Sequence, residues 1–543
     1  MYVTSVSLTE YLWVLIVGFI IAFILAFVIG ANDVANSFAT SVGSKVLTLR
    51  GACILATIFE TAGAVLLGSK VSSTIRQGIF NISLYEGQEE VLMLGEVSAL
   101  GGSFIWLFIA TFVRLPVSTT HSIVGAMIGF HLVVFGTYGL HWNELIKIVI
   151  SWFTSPALSG VISCILFVIV KWCIIDQEDS VKPGLMSLPI FYALTITINT
   201  FSIFYNGPEM LGFDKIPLWG AFVLSFGVGI IVAIAVQIFA VPWMRKKIEG
   251  ECSNAENEED DDERVGLTSR ENLDENQSGN TVYGTVTDHE RPKSDENDSQ
   301  DVQSVTTGTE FTDDQRESQK PLQSTDTEYT STTEKYENAA ENGPSLTDDM
   351  PKDDKDETEN KDKKEEKDRG KRTDPPEVAI LFKFLQILSA CFGGFAHGGN
   401  DVSNAIGPLT ALWFIYKDGS VSQETATPLW ILLYGGVGIS IGLWVWGYRV
   451  IQTVGEDLTV VTPSSGFTIE LGSATTVLMA SNIGVPISST HCKIGSVVSV
   501  GWVRERRSVD WRLFMNIVIA WFITVPASGA VSAGLMAILL HTV

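Results

Sequence analysis

Gly30-Ala31-Asn32-Asp33-Val34-Ala35-Asn36 returns later in the chain, nearly unchanged, as Gly398-Gly399-Asn400-Asp401-Val402-Ser403-Asn404. Each copy follows an apolar run of about 20 residues, long enough to cross a bilayer. Each therefore sets an Asp and two Asn at or near membrane depth. A carboxylate there costs roughly 2.5–3.5 kcal/mol on insertion scales. Two of them, in matching positions of two halves, point to one ion site assembled from a duplicated fold.

The duplication extends beyond this motif. Leu115-Pro116-Val117-Ser118-Thr119-Thr120-His121 matches Val485-Pro486-Ile487-Ser488-Ser489-Thr490-His491, and Trp152–Gly160 echoes Trp521–Gly529 in the same order. Mean hydropathy is positive, +0.27, although 18% of residues are charged. The charge is segregated. By direct count, residues 245–374 hold about 39 of the 61 acidic and about 19 of the 36 basic side chains, so this segment carries about −20 of the formal −25. It has too few apolar side chains to offset its ordering entropy and reads as a disordered acidic loop. The low pI thus describes a loop and not an acidic enzyme. The six cysteines show no metal-ligand spacing and read as small buried thiols.

Apolar runs at 11–30, 47–69, 91–113, 122–139, 144–170, 188–205 and 217–241, then 378–397, 428–448, 467–484, 492–503 and 512–540, predict about twelve spanning helices. The first run is too long for a signal h-region and lacks a basic start, so it reads as a retained helix. Trp142, Trp172, Trp219, Trp243, Trp502 and Trp511 sit near proposed helix ends, as an interfacial belt requires. The expected fold is an all-α polytopic membrane protein in two inverted-topology repeats with re-entrant or broken helices. The organisation is 1–170 first repeat, 171–244 connecting helices, 245–374 cytosolic loop and 375–543 second repeat. Basic residues such as Arg114, Arg245, Lys246, Lys247, Arg504 and Arg506 gather on one side, which places the acidic loop in the cytosol and both termini outside. Asn81-Ile82-Ser83 then falls outside and can carry a glycan, whereas the sequons at Asn276 and Asn297 stay bare.

In Gly-x-Asn-Asp-Val-x-Asn, glycine lets the chain leave helical geometry, while Asn, Asp and freed carbonyls supply the oxygen ligands that a hard cation such as Na+ takes. The competing reading is a buried Asn-Asp helix cap. In Pro-x-Ser-(Ser/Thr)-Thr-His, proline starts a helix. The hydroxyls and first-turn amides then form a nest of donors at its positive end, suited to an oxyanion without Lys or Arg. Here the competing reading is N-capping by Ser118 and Ser488, with His121 and His491 bonded within the fold. Three more carboxylates lie inside apolar runs and should face a cavity or partner. Glu60 and Glu470 are candidates for coupling; Glu96 is as well explained by a structural hydrogen bond. His397 precedes the second Asn-Asp motif and reads either as a satisfied core histidine or as a pH-sensitive neighbour of the site. No P-loop, GxSxG, HExxH or GxGxxG setting is present, so the chain is not read as an enzyme.

With both motif pairs in place, the chain resembles the PiT family of inorganic phosphate transporters over both membrane halves, with Ser403 standing where Ala is usual. The resemblance implies secondary active import of phosphate by alternating access, coupled to Na+ in the animal type, which the long loop and outside sequon favour. Carried over by motif, it implies cation binding by Asn32, Asp33, Asn36, Asn400, Asp401 and Asn404, with Asp33 and Asp401 the Na+-bearing carboxylates. It implies a phosphate site lined by Ser118, Thr119, Thr120, Ser488, Ser489 and Thr490, and a part in phosphate transport for Glu60 and Glu470. The expected partners are phosphate, Na+ as co-transported ion and a lipid bilayer, in the plasma membrane, with no other cofactor and no nucleic acid; homo-oligomerisation stays open. The alternatives are an H+-coupled phosphate or other oxyanion transporter, a phosphate channel or exporter, and a membrane scaffold or sensor that recruits partners through the acidic loop.

Overall fold

Eighteen residues without one charge, Leu12–Ile29, form helix α1. The polar motif that follows closes a π-helical turn, Gly30–Val34, and the chain resumes as α2, Ala35–Gly43. The structure is a computed structural model that describes residues 11–205, 212–251, 373–421, 426–506 and 508–542. Most of the acidic segment, with Asn276 and Asn297, lies outside the described residues, as does the side chain of Asn36.

The described chain is helical. The first half continues with α3 (Leu49–Gln77), α4 (Glu89–Phe112), α5 (Thr119–Phe135) and α6 (Trp142–Val170). Then come α7 (Val181–Phe204) and α8 (Leu218–Ala235), the latter running on through a π turn to Glu251. Residues 245–251 of the acidic segment therefore belong to this helix. The second half holds α9 (Pro376–Asp418), α10 (Leu429–Trp446), α11 (Pro463–Ile483), α12 (Ser489–Arg504) and α13 (Trp511–Leu539).

Two findings bear on the sequence reading. First, the second Asn-Asp motif does not unwind: α9 passes through it without interruption, and the first copy departs from α-helix only by its π turn. The glycines there serve close approach. A Cβ on Gly398 would sit 2.1 Å from the Glu60 carbonyl oxygen, and one on Gly63 1.9 Å from that of Phe395, so α3 and α9 touch backbone to backbone. Second, nine helices among the described residues are by length and composition able to cross a membrane, against the about twelve apolar runs of the sequence. α5 and α12 are short, with 17 and 16 residues, and α11 is rich in Ser, Thr and Gly. These helices belong to two hairpins, α4–α5 and α11–α12. Whether both arms of a hairpin cross or neither does, the parity of crossings is kept, so the expected side of the acidic segment is unchanged.

The halves interlock. α6 of the first half packs on α11 and α12 of the second, while its counterpart α13 packs on α4 and α5; likewise α3 lies along α9, and α10 along α1. The contacts match in detail. A Cβ on Gly125 would meet the Val525 carbonyl oxygen at 2.5 Å, and one on the equivalent Gly495 the Pro156 carbonyl oxygen at 2.4 Å. The outer faces are apolar and exposed, most of all on α8 (Phe222, Val223, Ile230, Ile231). The six tryptophans expected near helix ends are all exposed. Cys53, Cys391 and Cys492 are buried thiols, whereas Cys173 is exposed.

Candidate substrate site

The two hairpin tips meet. Ser118 starts α5 and Ser488 starts α12, each accepting a hydrogen bond from the backbone N–H of the histidine three residues on, at 3.2 and 3.1 Å. N-capping is therefore real, but it uses only the acceptor side of each hydroxyl and leaves its proton to donate. Across the tips, the Thr120 hydroxyl donates to the Ile487 carbonyl at 3.1 Å and the Thr490 hydroxyl contacts that of Val117 at 3.4 Å. All six hydroxyl residues, Ser118, Thr119, Thr120, Ser488, Ser489 and Thr490, are buried.

The Asn-Asp motifs lie against these tips. Thr119 donates to Asp33 Oδ2 at 2.6 Å, and Thr490, from the other half, donates to Asp33 Oδ1. Ser489 donates to both oxygens of Asp401, at 2.9 and 3.0 Å. Asn404 donates to Thr119 at 2.8 Å, so a chain runs from Asn404 through Thr119 to Asp33 and joins the halves. Both carboxylates are buried at the centre.

The asparagines divide into two roles. Asn32 donates to Thr111 and the Leu115 carbonyl, each at 3.0 Å, and accepts from the Val117 N–H at 3.2 Å. Asn32 thus braces the α4–α5 turn with both its amide N–H and its carbonyl oxygen. Asn400 binds the second turn through the Ile487 carbonyl at 3.1 Å. The side-chain oxygens of Asn400 and Asn404 are buried and receive no hydrogen bond among the described residues. Those oxygens and the two carboxylates form a hard, oxygen-only donor set suited to an alkali cation. No group of three His, Cys, Asp or Glu side chains suited to a metal ion occurs among the described residues.

Glu60 and Glu470 are brought to the same region through α2. Ser37 donates to Glu60 at 2.9 Å; Thr40 donates to Glu470, and Ser41 lies 3.5 Å from it. Glu96 is buried elsewhere, within electrostatic reach of Arg76, whose guanidinium lies 5.2 Å from the Phe414 ring. His397 is buried with Nδ1 3.8 Å from Asp401 Oδ2, beyond a hydrogen bond. The His121 and His491 rings lie 4.4 Å apart, tilted by 39°, each against a tryptophan, Trp152 and Trp521. They line a cavity of about 170 Å³ that reaches Phe153 and Phe522 on the apolar outer surface. Two residues escaped the sequence reading. Gln386 donates to the Thr40 carbonyl at 3.1 Å and accepts from Ser44 at 2.9 Å, bracing α2. Lys493, a lone cation inside an apolar run, is fully buried 3.2 Å from Glu470; its position in the run was the available signal. Asn81, in the sequon expected outside, is exposed.

Two interlocked, matched halves that converge two donor-rich helix starts on two buried carboxylates define the class of the molecule as a membrane carrier. A profile described as the phosphate transporter family, PHO4, matches residues 29–532, and the chain belongs to that family. It is 46% identical to sodium-dependent phosphate transporter 2 of Xenopus tropicalis, with 98% of each chain covered. It is 45% identical to the Homo sapiens transporter of the same name, with 98% of this chain and 99% of the relative covered. For sodium-dependent phosphate transporter 1 of Pongo abelii the identity is 43%, with 99% and 98% covered. A solved structure described as the sodium-dependent phosphate transporter superposes with a TM-score of 0.69 at 32% identity, over 98% of this chain and all of the other.

Proposed function

We propose that this chain is a secondary active transporter that imports inorganic phosphate coupled to Na+ by alternating access, with the paired hairpin tips as its phosphate site. The observation that carries the reading is the sharing of hydroxyls between anion site and carboxylates. Thr119, Thr490 and Ser489 each have one hydroxyl proton, and each now donates it to Asp33 or Asp401. A phosphate held by those hydroxyls needs the same protons. Na+ at Asp33 and Asp401, with the Asn400 and Asn404 side-chain oxygens as further ligands, neutralises the carboxylates and releases the hydroxyls to the anion. Cations therefore bind first, and by linkage phosphate raises the affinity for Na+ by the same factor. Glu60 and Glu470, bonded to α2 directly beyond Asp33, carry the state of the cation site to the packing between the halves.

Movement then follows from the interlocked architecture, with the inverted halves rocking about the fixed tips. The protein resides in the plasma membrane with the acidic segment in the cytosol, Asn81 glycosylated outside and both termini extracellular. Uptake by the purified protein in liposomes, with phosphate, sulfate or arsenate and with Na+ or choline at fixed pH, tests the reading. Accumulation of phosphate above its external concentration only with Na+ is expected. Uptake indifferent to Na+ refutes the coupling, and equilibration without accumulation indicates a channel. Removing residues 250–370 should leave transport intact, whereas a scaffold would lose its activity.

A further inference from the structure

Lys493 has no part in the cycle just described, yet it is one of the largest fully buried side chains in the protein. It stands on α12, three residues beyond Thr490. Its ammonium lies 3.2 Å from Glu470 Oε2 and 3.5 Å from the Ser37 carbonyl oxygen. The other Glu470 oxygen accepts from Thr40 and faces Ser41. A carboxylate and a backbone carbonyl around one positive charge are ligand types that an alkali cation takes.

The duplication supplies an internal comparison. Counting from Pro116 and Pro486, the first-half counterparts of Glu470 and Lys493 are Leu100 and Ile123, both fully buried. One half thus carries two apolar residues where the other carries an acid and a base. An apolar pair at such a site is often no less stable than an ion pair, so stability alone does not call for the charges. Removing only the lysine would leave an uncompensated buried carboxylate, the costly case.

We infer that Lys493 is a built-in counter-cation: its tethered ammonium occupies, at Glu470, a position that would otherwise take one more monovalent cation, and so caps the number of Na+ ions that travel with each phosphate. The inference rests on the transport reading above. A tethered ammonium neutralises Glu470 without leaving with the substrate, which keeps the coupling ratio independent of that carboxylate.

The test uses the full-length protein in liposomes, with uptake of ²²Na+ and ³²P-phosphate measured together for wild type, K493R and K493M. Wild type and K493R should share one ratio, and K493M should carry one more Na+ per phosphate. Thermal stability of the purified variants against NaCl gives a second readout. K493M should be stabilised by Na+ more steeply than wild type, since a ligand that binds only the folded state stabilises it, and E470Q/K493M should lose that extra dependence. A K493M ratio and Na+ dependence equal to wild type overturn the inference. So does a K493M that stays unfolded at every Na+ concentration while K493R folds, because the free cation should replace the ammonium. For a K493M that folds but does not transport, the stability readout decides. Absence of Na+-driven phosphate uptake by wild type would instead refute the transport reading.

Discussion

Thr490→Val removes one hydroxyl, keeps the shape of the side chain and tests the contact between the halves. The Thr490 hydroxyl donates to Asp33, which also accepts from Thr119 at 2.6 Å. A hydrogen bond to a charged group contributes about 1.5–3 kcal/mol. In the proposed cycle this hydroxyl turns from Asp33 to phosphate, so its loss removes a donor from the anion. At about 1.4 kcal/mol per decade, that loss weakens phosphate by about 10- to 150-fold. The assay is the phosphate concentration for half-maximal Na+-driven uptake, corrected for surface protein. Thr475→Val is the control, because that half-buried hydroxyl donates only to its own helix, to the Leu471 carbonyl at 2.7 Å. It should change the half-maximal concentration less than about twofold, the scale of an ordinary substitution away from such sites. T119V/T490V should depart from the sum of its singles by about 0.5–3 kcal/mol, because both hydroxyls serve one carboxylate. A T490V half-maximal concentration no different from that of T475V refutes the reasoning.

Asp33→Asn or Asp401→Asn should abolish phosphate uptake while surface biotinylation stays normal; wild-type uptake rates would remove both from the cation site. Gly442→Ala places a methyl 1.7 Å from the Phe27 carbonyl oxygen and should lower the thermal midpoint of the purified protein, overpacking costing about 1–3 kcal/mol. Gly227→Ala on α8, where an added Cβ meets nothing within 4 Å, should raise it, by about 0.5–1 kcal/mol of helix stability. Asn81→Gln should abolish the gel shift produced by glycosidase, and N276Q and N297Q should leave it unchanged; the reverse pattern would invert the topology.

Much of this was legible in the sequence because duplication writes each functional element twice. The paired Ser-Thr-His and Asn-Asp motifs announced which residues would meet, and hydropathy announced the helices. What stayed hidden depends on distance between chain-remote atoms. Nothing in the spacing said that Asn32 would brace the α4–α5 turn, or that Glu96 would lie within electrostatic reach of Arg76. Glycine was read as freedom to unwind, whereas at Gly398 it permits backbone contact, and only the neighbour at 2.1 Å distinguishes these. That the two hairpin tips touch was not legible either, because length and hydropathy carry no information on contacts between chain-remote residues. Lys493 passed unnoticed since one basic residue barely alters the hydropathy of its run.

The central claim is that both hairpin tips enclose a single anion. Equilibrium binding of ³²P-phosphate to purified protein in saturating Na+ tests it most directly, comparing wild type with S118A/T119V/T120V and S488A/S489A/T490V. One phosphate per chain is predicted for wild type, with binding lost in either tip variant. Two phosphates per chain, or a tip variant that still binds phosphate at wild-type affinity through the other tip, would contradict it.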